Sequence, residues 1–237
     1  GFNYAFDEER NTQLRGGAGL FFGTAPHVWI SSIFINNGVS QEFFRASTLD
    51  TPAFSPDIEN PPIPTAVNSR VNVDSLDADF KMPTEWKGNL ALDRKLPWGI
   101  SGTLEVALTK TEHDIHYIHH NLRQVPINFR STGFLPDGRT IYDNQPSKER
   151  EVGYRDVIEL VNTQEGFTRQ YTVLLSRPVP DNGFGFRGGY TYSKARNLND
   201  GRSAGASSNW TKNVGFDPND EVLGRSRFET KHRFVIT

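Results

Sequence analysis

The feature that most constrains this chain is a rhythm. Seven stretches alternate apolar and polar residues, and the connections between them are short, then long, in strict turn. Residues 1–6 set Phe2, Tyr4 and Phe6 against Asn3 and Ala5. Residues 12–22 set Leu14, Ala18, Leu20 and Phe22 against Gln13, Arg15 and two glycines, with Phe21 out of phase. Residues 85–96 set Trp86, Leu90 and Leu92 against Lys87, Asn89 and Asp93. Residues 99–110 set Ile100, Leu104, Val106 and Leu108 against Ser101, Thr103, Glu105 and Thr109. Residues 168–177 set Tyr171, Val173 and Leu175 against Gln170, Thr172 and Ser176. Residues 183–193 set Phe184, Phe186, Tyr190 and Tyr192 against Arg187, Thr191 and Ser193, and residues 227–237 end with Phe234 and Ile236 opposite Arg233 and Val235. Side chains on a strand point alternately to two faces, so each stretch predicts a strand with one apolar and one polar side.

The connections decide which sheet such strands build. Residues 7–11, 97–98 and 178–182 are short; 23–83, 111–165 and 195–225 are long. A soluble sandwich has no reason to sort its loops onto two rims. A bacterial outer-membrane barrel does, with short periplasmic turns and long extracellular loops. The expected fold is therefore all-β: an antiparallel transmembrane β-barrel segment of about seven wall strands. Strands entering Pro97 and Pro178 would descend toward the periplasm. Trp98 in a turn and Trp86 beside a long loop would mark the two interfacial belts. An open sheet edge cannot be left in hydrocarbon. The segment is thus expected to close only with further sequence or other chains, residues 1–237 being part of one barrel domain cut at both ends.

Composition agrees. Hydrophobic residues make up only 35 %, with 21 glycines and 14 prolines, which dilutes the helix formers. A net charge of −2 gives no nucleic-acid footprint. The absence of cysteine excludes a disulfide framework, a thiolate zinc site and a cysteine nucleophile. No apolar run approaches the length of a membrane-spanning helix.

Several motifs, in order along nearly the whole chain, resemble the Oar-like branch of TonB-dependent receptors. They are Gln13-Leu14-Arg15-Gly16-Gly17-Ala18-Gly19-Leu20-Phe21 with Pro26-His27-Val28-Trp29 and Asn36-Asn37-Gly38-Val39; Trp86 with Asn89-Leu90-Ala91-Leu92-Asp93, a Leu-Pro-Trp-Gly-Ile turn and Gly102-Thr103-Leu104-Glu105; Tyr190-Thr191-Tyr192-Ser193-Lys194-Ala195 with Ser208-Asn209-Trp210; and Lys231-His232-Arg233-Phe234-Val235. The resemblance implies a regulatory-like domain, a plug and a barrel of about 22 strands, of which only a middle-to-late barrel part is matched. It also implies residence in the bacterial outer membrane. The implied partners are outer-membrane lipid, the TonB complex through segments not seen here, and an extracellular ligand that the sequence does not identify.

Other motifs have simpler readings. Gly183-Phe184-Gly185-Phe186-Arg187-Gly188 fits a dinucleotide fingerprint, but a β-favouring aromatic run follows where a helix is needed. His113, His116, His119 and His120 could hold a metal if they converged. On a regular strand His116 and His120 share one face and His113 and His119 the other, so no metal site is assigned. Asp74 to Asp79, Asn197 to Gly201, and Asp217-Pro218-Asn219-Asp220-Glu221 offer oxygen ligands without EF-hand spacing. Asx-turn chemistry explains them more simply. Residues 51–64, rich in proline, suit a stiff stretch of the longest loop. Glu149 and Glu151 read as a solvated charged face. No catalytic set emerges, so no enzyme and no cofactor are expected. Lys87, Asp93, Glu105, Gln170 and Arg187 are expected to face the lumen. Two alternatives stand beside the receptor reading: an outer-membrane structural or adhesion protein whose loops bind partners or glycans, and a soluble all-β carbohydrate-binding module.

Overall fold

Seven strands of the computed structural model form one continuous antiparallel wall, and they are the seven that alternation marks. The structure describes residues 1–24, 27–40, 54–62, 71–124, 135–139, 142–143, 154–180, 183–213 and 215–237. In chain order the elements are β1 (Phe2–Ala5), β2 (Thr12–Phe22), α1 (His27–Ile35), β3 (Val71–Leu76), β4 (Thr84–Leu96), β5 (Ile100–His119), β6 (Arg123–Gln124), β7 (Tyr142–Asp143), β8 (Tyr154–Thr163), β9 (Phe167–Arg177), β10 (Phe186–Asn197), α2 (Ala206–Thr211), β11 (Gly224–Arg225) and β12 (His232–Ile236). The wall runs β1-β2-β4-β5-β9-β10-β12. Within the described residues β1 and β12 each pair on one side only, so the sheet is open.

Register keeps the two faces apart. Tyr4 lies opposite Leu14, Leu14 opposite Leu92, Leu92 opposite Leu104, and Leu104 opposite Val173. Val173 then meets Tyr190, which meets Phe234. One row of apolar residues thus crosses all seven strands. A slip of one residue in any pairing would break it. The neighbouring row reads Arg15, Ala91, Glu105, Thr172, Thr191 and Arg233. Strands β2, β4, β9 and β10 have 11, 13, 11 and 12 residues. That matches the ~9–11 residues with which a tilted strand crosses a bilayer.

The short connections are tight. Asp7 accepts the Asn11 and Thr12 amides at 2.7 and 2.9 Å and closes the β1–β2 turn. Between β4 and β5 the central residues Trp98 and Gly99 have φ of 63° and 72°. This is the doubly left-handed turn whose twist suits a two-residue hairpin. Between β9 and β10, a Cβ on Gly185 would lie 2.7 Å from the Val179 nitrogen, so only glycine fits. β10 follows without any helix, which leaves the glycine pattern there to a turn and a strand rather than a phosphate site.

Among the described residues, parts of the stretches expected to be long loops are folded into strands and helices, so two wall strands run further than the alternation marks. β5 extends to His119, well past the wall, and β10 extends to Asn197. β8 runs straight into β9 along β5: Asp114 pairs with Thr163 and Lys110 with Phe167, the same register. β5 and β8–β9 are therefore one hairpin that rises above the wall. β3 adds parallel to β8. Conversely, two strands start later than alternation suggests, at Phe186 and His232. There Gly183 (φ 131°) and the Ser226–Glu229 turn intervene.

The rising hairpin contains a change of phase. Opposite Thr84–Glu85, β5 carries one extra residue. Below it the Thr111 amide points toward β9 and donates to the Gly166 carbonyl at 3.1 Å. Above it the His119 amide points to the other side, and His120 donates to Val157 in β8 at 2.9 Å. Amide and side-chain directions alternate together along a strand, so this bulge moves odd-numbered side chains onto the face held by even-numbered ones below. The sequence shifts with it. Leu104, Val106 and Leu108 give way to Ile115 and Tyr117; across the ladder Tyr171, Val173 and Leu175 give way to Ile158 and Leu160. The apolar side of the hairpin is continuous from end to end.

Candidate functional site

Below the bulge the apolar side is uncovered. Leu104 is 55 % exposed and Leu90 48 %, and Trp86, Leu108, Tyr171, Val173, Leu175 and Phe234 are also exposed. Above the bulge the same side is covered by a small core of Ile115, Tyr117, Ile158, Leu160, Ala206 and Trp210, flanked by Trp29, Phe80 and Leu122. α1 supplies Trp29, whose ring meets Tyr117 edge-on at 5.9 Å and whose Nε1 donates to the Ser203 carbonyl at 2.8 Å. α2 supplies Trp210, edge-on to His119 at 4.9 Å. Described parts of the long connections thus form a folded unit at one end of the wall.

Two asparagines organise that unit. The fully buried Asn209 donates to the Ser203 carbonyl at 2.8 Å and to Tyr117 at 3.3 Å, while its Oδ1 accepts the Ser203 amide at 2.8 Å. Asn219 acts as a substitute strand. β4 ends before the top of β5, leaving an edge there with no neighbouring strand among the described residues. The Asn219 carboxamide accepts the His119 amide at 2.9 Å and donates to the His119 carbonyl at 3.1 Å. Its Oδ1 also accepts Trp210 Nε1 at 2.7 Å. Buried backbone groups need such partners.

Charged groups tie the unit's periphery. Asp156 accepts Ser207 Oγ at 2.8 Å and lies 3.3 Å from His119 Nε2. Burial pushes its pKa up, but the bonds from His119 and Ser207 outweigh that and hold it below the usual carboxylate range. Asp74, buried on β3 beside the end of α1, is pushed upward by desolvation although Asn36 donates to it at 2.8 Å. Burial likewise raises Asp114 and the Tyr117 phenol. Where β10 leaves the wall, Glu229 gathers the Ala195 amide, Arg196 and Arg225, each at 2.7 Å. Beside this knot a cavity of about 220 Å³ is lined by Asn197, Asn199, Asp200, Arg202, Lys212 and Arg225, among others. Its polar walls suit a hydrogen-bonding guest better than an apolar one.

The residues expected to line a lumen share the opposite, polar face. Glu105, Lys87, Asp93, Gln170 and Arg187 all fall on it by register. There Arg15 and Asp93 pair at 2.7 Å, Thr103 donates to Asp93 at 2.6 Å, Asn89 donates to Glu105 at 3.2 Å, and the Thr172 and Thr191 hydroxyls meet at 3.0 Å. Phe21 lies on this face too, with the Lys87 ammonium 6.0 Å from its ring centroid.

The histidines do not converge. His116 Nε2 meets the Asn219 carbonyl at 2.9 Å, His119 faces Asp156, and His120 pairs with Glu159 at 2.7 Å. Among the described residues no group of three His, Asp or Glu side chains is placed to hold a metal. The acidic stretches make turns: Asp217 accepts the Asn219 amide, Asp77 accepts the Asp79 amide, and Asp200 accepts Asn197. Of the proline-rich stretch, residues 54–62 are described, and Asp57 caps a turn there. Glu149 and Glu151 lie outside the described residues. Asn209 and Asn219 are structural positions that sequence reasoning does not single out. Each sits in a flagged motif, but nothing local says that its amide is buried.

An apolar, uncovered face beneath a folded cap and beside a polar, hydrogen-bonded face is what an acyl environment requires of a strand wall. A family model described as "Outer membrane beta barrel domain" matches residues 1–237. The chain belongs to the outer membrane beta barrel domain family. Its place is the bacterial outer membrane, and within that family its short-turn rim is the periplasmic one and its folded unit the extracellular one. No curated protein and no solved structure matched the chain.

Proposed function

We propose that this wall belongs to a TonB-dependent receptor of the Oar-like kind, taking part in substrate uptake or surface recognition. The apolar face meets outer-membrane lipid, and the polar face lines the lumen. The extracellular unit captures a ligand, whose passage is gated by a plug and coupled to TonB elsewhere in the receptor. No catalytic step and no cofactor belong to this reading. It is supported by the order of the Oar-like motifs and by what they do. Gln13 to Phe21, Trp86 to Asp93 and Tyr190 to Ala195 are wall strands, while Asn209 and Trp210 are centres of the extracellular core.

The observation that carries the reading is the folded extracellular unit itself. Its own core and polar cavity offer a preformed surface to a guest, at less ordering cost than solvated loops would incur. The test is site-specific photocrosslinking of the full-length protein to TonB in energised cells. The receptor reading predicts a crosslink that strengthens when extracellular ligand mixtures are supplied. Surface binding that persists without any TonB contact would replace it with the structural or adhesion reading.

A further inference from the structure

Among the described residues, α1 has one exposed side, and it is mainly apolar. Trp29 turns inward to Tyr117, and Asn36 ties the helix end to β3. The outward side carries Val28, Ile35 and Phe34, the last 75 % exposed, with the polar His27 and Ser31 among them and Val39 just beyond at 89 %. No residue of the helix is buried. An exposed apolar surface of this kind needs an occupant.

Position and sequence indicate which one. α1 follows Leu20, Phe21 and Phe22, the exposed end of β2 at the extracellular rim. The bulge keeps Tyr117, the helix's anchor, on the side of the hairpin that carries Leu104 and Val106 below. α1 therefore packs on the lipid-facing side of the hairpin, and its free surface continues the wall's apolar face. From Gly16 to Gln41 the sequence contains no Asp, Glu, Lys or Arg. The flanking residues Arg15 and Glu42 are charged, as are most other parts of the long connections.

We infer that α1 is an interfacial helix, lying along the boundary of headgroups and acyl chains in the outer leaflet. Val28, Phe34, Ile35 and Val39 enter the apolar layer, and Trp29 locks the helix to the extracellular unit. The unit's footing on the membrane is then set by lipid as well as by the wall. The inference rests on the chain's membership of the outer-membrane family and does not need TonB coupling.

The test uses the full-length protein carrying one cysteine, Phe34→Cys, spin-labelled and reconstituted in vesicles of outer-membrane lipid including lipopolysaccharide. Leu104→Cys serves as the lipid reference and Asp220→Cys as the aqueous one. Collision with oxygen is compared with collision with a water-soluble nickel chelate. The expected oxygen-to-nickel ratio at Phe34 is close to that at Leu104 and at least ~5-fold above that at Asp220, because an interfacial apolar face excludes the polar reagent. Val39→Cys gives a second reading of the same patch should Phe34→Cys fail to assemble. A ratio equal to that at Asp220 would overturn the inference. So would shielding from both reagents, which would point to a protein occupant.

Discussion

At the scale of single residues, the extracellular unit depends on side chains that do the work of backbone. Asn219 offers both halves of an amide to His119, and one atom of it also satisfies Trp210. Asn219→Ala would leave the His119 amide and carbonyl without that partner at the top of β5. The expected loss is on the order of 2–4 kcal/mol of local stability, since each unsatisfied buried group costs about 1–3. Hydrogen exchange at residues 115–119 should speed up while exchange in β2 and β4 stays unchanged. Asp156 makes the unit acid-sensitive. Its folded pKa lies below its unfolded value, so its stabilisation is present above the ordinary carboxylate range and is lost as pH falls through the depressed folded value. Limited proteolysis of the extracellular unit should therefore accelerate on acidification below about pH 4. Asp156→Asn should flatten that dependence. Asp74 works in the opposite sense: its raised folded pKa means that protonation favours the fold.

At the scale of elements, the bulge near Thr111 and the break before Phe167 let one hairpin serve two environments. Gly166 is the residue that the break cannot spare. Its φ is 147°, and a Cβ there would run into Thr111 Oγ1. Gly166→Ala should cost about 1–3 kcal/mol through backbone strain and collision. Thr111→Gly in the same chain should recover part of the loss, as thermal melting of the reconstituted protein would show. Below the break the faces differ in what they tolerate. Leu104→Arg places a charge on the uncovered apolar face near mid-strand and should cost about 2–4 kcal/mol if that face meets the bilayer centre. Glu105→Gln on the polar face should be nearly silent. Heat-modifiable gel mobility after outer-membrane assembly would report both.

At the scale of the whole molecule, the wall was legible in the sequence and the cap above it was not. Each wall strand is half solvated by one medium and half by another, so alternation exposes it: Leu104 beside Glu105, and Tyr190 beside Thr191. The short turns announce themselves through Pro97, Asp7 and the glycines near Gly185. The cap hides because its core is assembled from distant pieces. Trp29, Tyr117, Leu160 and Trp210 come from four elements far apart in the chain, and the two helices among them are too short to show a period. The phase change at the bulge adds to this, since Ile115 and Tyr117 fall out of step with Leu108 and look like the end of a strand. The polar cavity beside Asp200 likewise arises from residues 197–202, 212–213 and 222–225 meeting in space. No spacing along the chain marks it.

The account stands on the two faces of the wall meeting different media. Cysteine substitution along residues 103–109 of β5, with a membrane-impermeant maleimide applied to the full-length protein in outer-membrane vesicles, measures this directly. Labelling should alternate: Thr103, Glu105, Ala107 and Thr109 react from the aqueous side, while Leu104, Val106 and Leu108 stay protected until the lipid is stripped by denaturing detergent. Uniform reaction at all seven positions, or protection of the odd-numbered set, would contradict it.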